Sequence, residues 1–381
     1  MDRVLELDER WRAVTAELEA LRSEQNRASR GRRGAPTHDE REQLAALAVR
    51  GRALSDEEAA LRAQRDSALA SVPNLPAGDA PEEDRVLYER GEAGARGRDH
   101  LELAGPRIDM DHGARLSGSR FAYLRGELVM VELALVSYAL QTLTGHGFEP
   151  VIPPVLVRER ALFGTGFLPD TEQQIYSLPG DGLYLVGTSE VALASLHEDE
   201  IVTADELPAR YAGFSTCFRR EAGAAGKDTR GIFRVHQFDK VEMFSFIEPE
   251  HSSEEHERLL SIEEAILQDL AIPYRVVAIA VSDLGASAAK KYDCEAWLPG
   301  QGRYRELTSC SNTTDYQARR LDIRYRPPNG RPTHVHTLNG TAVAVGRTII
   351  ALLENGQRED GSVVLPRALA RHGAPEALAP A

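Results

Sequence analysis

The amino-acid sequence predicts an α+β protein, in which a helical hairpin is followed by a larger domain of β-hairpins and helices. An apolar seam with spacings of alternately three and four residues runs through the start of the chain, which is typical of a coiled coil. Farther along, residues 218–246 and 292–308 each contain two extended apolar patterns around a glycine-containing turn. Amphipathic helical patterns lie between these hairpins, so helices and strands belong to one domain.

The composition is typical of a globular protein. The chain has 381 residues, of which 42% are hydrophobic and 27% are charged, and this length allows two domains. No apolar run approaches the roughly 18–20 residues of a membrane span, and the N-terminus lacks the pattern of a secretory signal. The three cysteines, Cys217, Cys294 and Cys310, have no CxxC spacing. We therefore predict a cytoplasmic protein without a disulfide framework or a zinc site.

Residues 1–78 are predicted to form the helical hairpin. The first helix, residues 2–29, carries an apolar seam formed by Val4, Leu7, Trp11, Val14, Leu18 and Leu21. A break rich in glycine follows, and Thr37 with Glu40 has the spacing of a capping box for a second helix that reaches about Ser71. Because such a hairpin buries little besides its own seam, we expect it to project as an arm.

Arginines are concentrated where the two helices of the arm meet. The whole chain has a net charge of −14, which is unusual for a nucleic-acid-binding protein. A local basic surface can nevertheless hold phosphate on an acidic protein, and residues 22–33 contain five arginines against one acid. An ordinary solvated turn explains the same residues equally well. The candidate phosphate-binding residues are Arg27, Arg30, Arg32 and Arg33.

The rest of the chain divides into a linker, residues 79–105, and a large domain, residues 106–381. Prolines and acids dominate the start of the linker, and its later part has weak periodicity. In the domain, residues 118–144 are predicted to form a long helix because apolar residues recur on one face and glycines follow it. A β segment, residues 148–157, comes next. The Ala/Pro-rich tail, residues 371–381, is expected to fray.

The hairpin at residues 218–246 has the composition of a phosphate-binding loop. Its first strand ends in Arg219, Arg220 and Glu221, and its connecting loop holds glycines and further cations. Glycines allow a phosphate to approach the backbone closely, and arginine binds phosphate through two parallel hydrogen bonds. The alternative is an ordinary exposed hairpin whose charges face water. The sequence contains neither a Walker loop nor a strand-linked GxGxxG motif.

A strand, a turn and a helix start are predicted over residues 182–196. The turn contains Thr188, Ser189 and Glu190. A threonine or serine at this position is commonly a helix cap, with an acid in the first turn of the helix. The residues alone therefore leave a structural role and a binding role open.

Two later segments place polar residues beside predicted strands. In residues 292–319, Glu306 and Ser309 are close enough to converge on one ion, and their oxygens suit Mg²⁺ beside phosphates. As an isolated pair they are more often a polar strand end. Residues 336–352 combine a strand and a buried helix with a single cation, Arg347. A buried arginine needs an anionic partner, which is either a triphosphate or an internal carboxylate.

Together these segments resemble the seryl-tRNA synthetase family of the class II aminoacyl-tRNA synthetases. Residues 218–246 resemble motif 2 in the form found in that family, residues 118–157 resemble motif 1, and residues 336–352 resemble motif 3. The TSE sequence at 188–190 and the ELTSCSN sequence at 306–312 are similar to two further signatures of the family. The resemblance implies a class II antiparallel β-sheet flanked by helices, an N-terminal antiparallel coiled-coil arm, and a homodimer formed through motif 1.

The resemblance assigns roles to individual residues. It implies that ATP is bound by Arg219, Arg220, Glu221, Val235, Phe238, Glu306, Leu307, Thr308, Ser309 and Arg347. It implies that L-serine is bound by Thr188, Ser189, Glu190, Arg219, Glu242 and Thr341. Mg²⁺ is then held by Glu306 and Ser309, and the catalytic groups are Arg219, Glu306 and Arg347. The arm residues that meet tRNA are Arg27, Arg30, Arg32 and Arg33.

The activity implied is that of a serine–tRNA ligase, which converts L-serine and ATP to seryl-adenylate and transfers the seryl group to the 3′ end of tRNA(Ser). The family also serves selenocysteine tRNA. The sequence leaves open a specialised paralogue for biosynthesis or inhibitor resistance, an adenylate-forming homologue with impaired tRNA charging, and a non-catalytic binding protein. No membrane or DNA partner is expected. Family members usually carry a longer segment before the first arm helix, which would affect tRNA recognition before serine activation.

Overall fold

A computed structural model describes residues 2–29, 37–169, 174–222, 228, 230–328 and 330–381. Contacts between Cα atoms divide the chain into two compact units, Met1–Pro73 and Asn74–Ala381. The first unit holds the two arm helices, and the second holds every β-strand that the structure describes.

The first unit is the helical hairpin that the apolar seam predicts. Its helices are α1, Asp2–Ser29, and α2, His38–Ala70. Thr37 caps α2 as predicted, since its hydroxyl accepts a hydrogen bond from Glu40 N at 3.3 Å while Thr37 N donates to the Glu40 carboxylate at 2.8 Å. Apolar side chains are buried along both helices, which confirms the seam. These are Leu7, Leu18, Leu21, Leu54 and Leu61.

The second unit contains short and long helices and many strands. Its helices are α3, His100–Ala104; α4, Met110–Ser117; α5, Glu127–Gly145; α6, Glu159–Thr165; α7, Glu190–Ala194; α8, Ser252–Asp269; α9, Tyr316–Leu321; α10, Val345–Asn355; and α11, Arg367–Ala370. Its strands are β1, Arg85–Arg90; β2, Ile108–Asp109; β3, Tyr123–Leu124; β4, Glu149–Val151; β5, Leu156–Arg158; β6, Ser177–Leu178; β7, Leu183–Leu185; β8, Ile201–Thr203; β9, Ala209–Phe218; β10, Gln237–Ile247; β11, Tyr274–Ala278; β12, Lys290–Leu298; β13, Arg303–Thr314; β14, Arg324–Arg326; β15, Thr333–His334; β16, His336–Ala344; β17, Val363–Val364; and β18, Ala377–Leu378.

An eight-stranded sheet organises the second unit. Its strands follow the order β1-β11-β12-β13-β16-β10-β9-β4, and neighbouring strands are antiparallel except β4 and β9. The late strand β16 lies between β10 and β13, where it pairs with both. Three segments that were predicted to carry chemistry are far apart in the sequence, and the sheet makes them neighbours.

Helices α5, α8 and α10 pack against the sheet and complete the core. Leu135, Leu259 and Ile349, one from each helix, are fully buried. Removing such a side chain from water contributes about 1.5–3 kcal/mol to folding. The predicted α+β architecture, an antiparallel sheet flanked by helices after an N-terminal helical hairpin, is confirmed.

Helix α5 is more apolar than the sequence analysis recognised. In the part of the chain that the structure describes, it is the one helix that is long and apolar enough to cross a membrane by length and composition. Glu132 interrupts its apolar residues, so the sequence shows no continuous apolar run there. Leu128, Val131 and Leu135 of α5 are buried in the core of the second unit.

Two predicted boundaries were wrong, and backbone chemistry explains both. The long helix predicted over 118–144 begins at Glu127, because Gly118 and Gly126 have φ angles of +96° and +59° and separate α4 from α5. The β segment predicted over 148–157 is divided into the short strands β4 and β5. Pro153 and Pro154, which have no N–H to donate, lie in the gap between those strands.

Two segments that were predicted to lack order are part of the fold. The predicted linker, residues 79–105, contributes the edge strand β1, which pairs with β11, and the helix α3. The tail, residues 371–381, does not fray, since β18 pairs with β17 and Leu378 is buried. The large apolar residues of 79–105 form two short groups, residues 86–88 and Leu101 with Leu103, and the tail holds only Leu378, so their local patterns were too weak to predict an element.

Two buried glutamates of α8 have opposite electrostatic environments. Glu263 accepts a hydrogen bond from Thr308 Oγ1 at 2.8 Å, while its Oε1 has no hydrogen-bond partner among the described residues. Burial, together with the charge of Glu242, raises the pKa of Glu263 well above its ordinary value. Burial would also raise the pKa of Glu255, but the guanidinium of Arg210, with hydrogen bonds of 2.7 and 2.6 Å, lowers it.

We expect Glu263→Gln to raise the free energy of unfolding at pH 8 and Glu255→Gln to lower it, each by about 1–3 kcal/mol. For Glu263 the folded-state pKa lies above the unfolded value, so stability is lost as pH rises above about 4.3. For Glu255 the folded-state pKa is lowered, so its contribution is present at neutral pH and is lost on acidification. Urea unfolding at pH 8 and pH 5 measures both effects. Shifts of the same sign in the two variants at pH 8 would contradict these environments.

Candidate active site

A cavity of about 100 Å³ lies beside β10, β13 and β16, at the start of α10. Eight of the ten predicted ATP-binding residues line it, and the other two, Arg220 and Thr308, do not. The residues that line the cavity are Arg219, Glu221, Ile232, Phe233, Arg234, Val235, Phe238, Lys240, Glu306, Leu307, Ser309, Thr341, Ala344, Gly346 and Arg347.

Arg219 follows directly after β9 and is held by both its backbone and its side chain. Its N–H donates to His236 O at 2.9 Å, which closes the hairpin beyond the last strand pair. Its Nε donates to Gly187 O at 3.1 Å, and its guanidinium carbon lies 5.4 Å from the centre of the Phe238 ring. The guanidinium is therefore fixed between an aromatic ring and the turn that precedes α7.

Arg347 and Glu306 form an ion pair in the cavity. Arg347 Nη1 lies 3.2 Å from Glu306 Oε1 and donates to Glu306 O at 3.0 Å. Burial lowers the pKa of Arg347. Partial desolvation would raise the pKa of Glu306, but the charges of Arg347 and Lys291 hold it below its ordinary value, so this carboxylate is ionised at neutral pH. The sequence analysis gave a triphosphate or an internal carboxylate as the partner of Arg347, and Glu306 is such a carboxylate.

A second set of charges surrounds Phe233, and sequence reasoning missed it. The Arg305 guanidinium lies 3.9 Å from the centre of the Phe233 ring and donates to both oxygens of Asp228, at 2.9 and 2.7 Å. Arg234 pairs with Glu221 at 2.6 Å. No local pattern could reveal the Arg305–Asp228 pair, because its members are 77 positions apart in the sequence.

A buried ion pair lies deeper beside the cavity. Lys240 Nζ contacts Glu242 Oε2, and both residues are buried. Thr188 Oγ1 donates to the same Glu242 oxygen at 3.4 Å, and Thr341 is paired with Glu242 across β10 and β16. Burial raises the pKa of Glu242. Lys240 was not predicted to be part of the site, although the two-residue repeat of a strand places it on the same face as Phe238 and Glu242.

Glu190, the first residue of α7, is a second buried carboxylate near Glu242. Its Oε1 accepts hydrogen bonds from Gln317 Nε2 at 2.7 Å and from Asn339 Nδ2 at 2.9 Å. Burial and the charge of Glu242 raise the pKa of Glu190 to about 7. Glu242 already has Lys240 as a cationic partner, whereas Glu190 has hydrogen bonds but no ion pair among the described residues, so a positively charged group would be stabilised beside Glu190.

The side chains of three predicted site residues point elsewhere. The Ser189 hydroxyl is fully buried and donates to Gly213 O at 3.4 Å, so it connects the turn to β9. Thr308 donates to Glu263 on α8, because a bulge in the pairing of β12 and β13 interrupts the alternation that would have placed it beside Glu306. The Arg220 side chain is exposed.

Other predictions fall on residues outside those that the structure describes. These are the arm residues Arg30, Arg32 and Arg33 and the loop residues Gly223, Gly226 and Lys227. Arg27, the remaining arm residue of the prediction, lies in the last turn of α1 and is exposed. The contribution of the arm to binding therefore stays a prediction.

Comparison with known proteins first identifies the class. A family model described as the tRNA synthetase class II core domain (G, H, P, S and T) matches residues 176–356, and one described as the seryl-tRNA synthetase N-terminal domain matches residues 1–76. A prolyl-tRNA synthetase from Giardia lamblia shares the fold at 18% identity and a TM-score of 0.62, over 71% of this chain and 53% of its own. The second unit is thus the core of a class II aminoacyl-tRNA synthetase.

Relatives that match along their length identify the family. A serine–tRNA ligase from Thermobifida fusca is 51% identical over 97% of this chain and 90% of its own length. One from Rubrobacter xylanophilus is 50% identical over 100% of this chain and 93% of its own. The crystal structure of seryl-tRNA synthetase from Pyrococcus horikoshii, complexed with ATP, matches with a TM-score of 0.93 and 40% identity, over 100% of this chain and 93% of that one. The chain belongs to the seryl-tRNA synthetase family.

Proposed function

We propose that this protein activates L-serine with ATP to form seryl-adenylate and then transfers the seryl group to the 3′ end of tRNA(Ser). The observation that carries the proposal is that cationic groups line the cavity while buried carboxylates lie next to it. The guanidinium groups of Arg219 and Arg347 line the cavity, as do Lys240, which contacts the buried Glu242, and Thr341, which is paired with Glu242 across β10 and β16. Glu190 is a second buried carboxylate near Glu242. A substrate with an ammonium group and a carboxylate fits between the acids and a polyphosphate held by the arginines. A cytoplasmic location and the lack of a DNA or membrane partner stay predictions.

Serine would be held through its ammonium group and its hydroxyl. Glu190 and Glu242 supply the negative charge for the ammonium, while Thr188 and Thr341 supply hydroxyls close to Glu242. A pocket whose buried polar groups are paired by the substrate hydroxyl rejects alanine strongly, because alanine would leave those groups unpaired. The Ser189 side chain is committed to Gly213, so we assign it to support of the turn.

Adenylate formation requires placement and charge neutralisation more than proton transfer. The serine carboxylate would attack the α-phosphate, and Arg219, fixed between Gly187 and Phe238, would hold that phosphate. Phe238 would stack on the adenine ring, and Glu221 would read the adenine amino group. Glu221 is already held by Arg234 at 2.6 Å, which orients its carboxylate before ATP arrives.

The residues present fit a Mg²⁺ ion. Glu306 is ionised, its side chain is about half exposed, and Ser309 lines the same cavity, so two hard oxygen donors are available. When bound, Mg²⁺ supplies positive charge to the β- and γ-phosphates of the departing pyrophosphate. Arg347, which pairs with Glu306, would bind the γ-phosphate end of ATP.

One reaction mixture tests the proposed function. Purified protein is incubated with ATP, Mg²⁺, labelled serine and total tRNA, and both serine-dependent pyrophosphate exchange and serine attached to tRNA are followed. We expect both signals. Exchange without charging would leave the cavity assignment intact and point to an adenylate-forming homologue. A folded protein with neither signal would contradict the proposal.

Replacing Arg30, Arg32 and Arg33 with alanine is expected to lower tRNA charging by about tenfold or more and to leave serine-dependent exchange unchanged. Each phosphate contact releases counterions from the tRNA on binding. Fewer contacts release fewer counterions, so the salt dependence of the tRNA affinity should also become weaker. Charging kinetics at two salt concentrations measure both effects.

The matched control for the variant at Arg30, Arg32 and Arg33 replaces Arg3, Arg10 and Arg12, three exposed arginines near the start of α1. Both triple variants remove the same charge from the chain. An equal loss of tRNA charging in the two variants would assign the effect to net charge and would argue against a tRNA site at residues 30–33.

Assembly as a homodimer is proposed from the exposed apolar surface of α5. Val129, Met130 and Leu133 are 39%, 47% and 55% exposed, and their spacing places them together along one side of the helix. The same helix belongs to the segment that resembles motif 1. An apolar helix surface of this kind is stabilised when a second copy covers it.

Replacing both Met130 and Leu133 with glutamate is expected to convert the dimer to a monomer at micromolar concentration. Charged side chains in the centre of an apolar interface remain unpaired and desolvated, which costs several kcal/mol. Sedimentation velocity measures the change. The control replaces Val49 and Leu69 with glutamate, which introduces the same charge at two exposed apolar positions of α2. A dimer that survives the double substitution would place the interface elsewhere.

A further inference from the structure

A buried histidine connects α3 to the segment that follows the motif 2 loop. His100, the first residue of α3, is 5% exposed. Its Nε2 lies 3.3 Å from Ile232 N, and its Nδ1 lies 3.3 Å from Glu354 Oε1. A backbone N–H can only donate, so Nε2 accepts and the proton is on Nδ1, from which it is donated to Glu354.

Glu354 holds this tautomer in place. Its side chain is completely buried near the end of α10, where Oε1 also accepts from His100 N at 3.2 Å and Oε2 accepts from Gly300 N at 2.8 Å. Gly231 makes room for the ring, because a Cβ atom at that position would lie 2.0 Å from His100 Nε2. The imidazole is therefore fixed against the backbone of residues 231–232.

The anchored backbone leads directly into the cavity. The residue after Ile232 is Phe233, whose carbonyl oxygen accepts from Arg347 Nε at 3.4 Å. The Phe233 ring lies 4.6 Å from the Arg347 guanidinium and 3.9 Å from that of Arg305. Phe233 is thus one of the groups that position Arg347, a cation of the cavity, and it also contacts Arg305, which does not line the cavity.

We infer that His100 is a positioning residue for ATP, which acts by accepting the hydrogen bond of Ile232 N and so fixing Phe233 and Arg347. This inference rests on the proposed function, because it takes Arg347 as a ligand of the γ-phosphate. His100 itself does not line the cavity. Its loss should weaken ATP use and leave the serine pocket, which is built from α7, β10 and β16, unchanged.

Two substitutions distinguish the role of Nε2 as a hydrogen-bond acceptor from the other contacts of His100. In His100→Asn, the amide can replace Nδ1 as a donor to Glu354 but does not reach Ile232 N. In His100→Gln, the longer side chain places an amide oxygen near the position of Nε2, so the acceptor is restored. We expect the Asn variant to raise the KM for ATP about tenfold and to change the KM for serine by less than about twofold. The Gln variant should return the KM for ATP to within about threefold of the unsubstituted protein.

Serine-dependent pyrophosphate exchange with varied ATP and varied serine gives both constants, and thermal unfolding shows that each variant is folded. Equal effects of Asn and Gln, a joint rise of both KM values, or an Asn variant that does not fold would each overturn the inference in favour of a purely structural role. A failure of the proposed function is distinguishable, since the unsubstituted protein would then show no serine-dependent exchange.

Discussion

Replacing Arg219 with alanine is expected to lower serine-dependent pyrophosphate exchange by about a thousandfold or more. The guanidinium is held between Gly187 O and the Phe238 ring, so in the proposed role it would meet the α-phosphate without further ordering. A fixed donor at a centre where negative charge develops is worth about 3–4 kcal/mol of barrier, and arginine adds a charge-assisted pair of hydrogen bonds. Steady-state exchange with saturating serine and ATP measures the loss.

The lysine variant at the same position separates charge from geometry. Arg219→Lys keeps the positive charge, but its single nitrogen cannot form the two parallel hydrogen bonds of a guanidinium with a phosphate, so we expect it to recover only part of the activity. The unfolding midpoint of both variants should stay close to that of the unsubstituted protein, because Arg219 is only partly buried. Exchange within tenfold of the unsubstituted protein in the alanine variant would refute the assignment of Arg219 to the α-phosphate.

Replacing Glu242 with glutamine is expected to raise the KM for serine about a hundredfold and to leave the KM for ATP nearly unchanged. The substitution keeps the shape of the side chain and removes the charge that, in the proposed role, would pair with the serine ammonium group. The loss of such a buried pair costs about 3 kcal/mol. Serine concentration series at fixed ATP, followed by exchange, give this constant. An increase below threefold would show that the ammonium is bound elsewhere.

Glu306→Gln is the control for Glu242→Gln, because we expect it to have the opposite effects on the two KM values. It changes a carboxylate of the same cavity, but one that pairs with Arg347, so we expect the KM for ATP to rise and the KM for serine to stay within about twofold. Because Glu242→Gln also leaves Lys240 without its charged partner, the unfolding midpoint of that variant is measured as well. A serine effect that disappears at a lower temperature would indicate lost stability instead of lost binding.

Much of the fold could be predicted from local patterns. Leu18 and Leu54 are buried as the coiled-coil seam requires, and Thr37 forms the capping box that its spacing from Glu40 indicates. The helix that holds Arg347 also lies where the sequence placed it, because small and apolar residues there follow a clear period. The strand before it begins earlier than predicted, since β16 includes Asn339 and Gly340, which were predicted to form a turn. Short elements such as β1 and β18 escaped prediction, since pairing with distant strands stabilises them and their own residues do not.

The site was predictable where one motif carries several of its residues. Arg219, Phe238 and Glu242 belong to a single hairpin, so one resemblance brought them together. The pairs Asp228–Arg305 and His100–Glu354 could not be found in this way, because 77 and 254 positions separate their members. Thr308 could not be placed for another reason. A bulge decides which face of the sheet its side chain occupies, and the alternation of residues in the sequence does not reveal bulges.

The place of β16 between β10 and β13 has a consequence for synthesis of the protein on the ribosome. The β9–β10 hairpin is complete at Ile247, yet the strand that covers the free edge of β10 begins only at His336. Until that strand has left the exit tunnel, the nascent chain presents an unpaired edge that can join the edge of another molecule. Thr341 and Arg347 arrive with the same late segment, so the nascent polypeptide acquires its complete cavity only after that segment has been made.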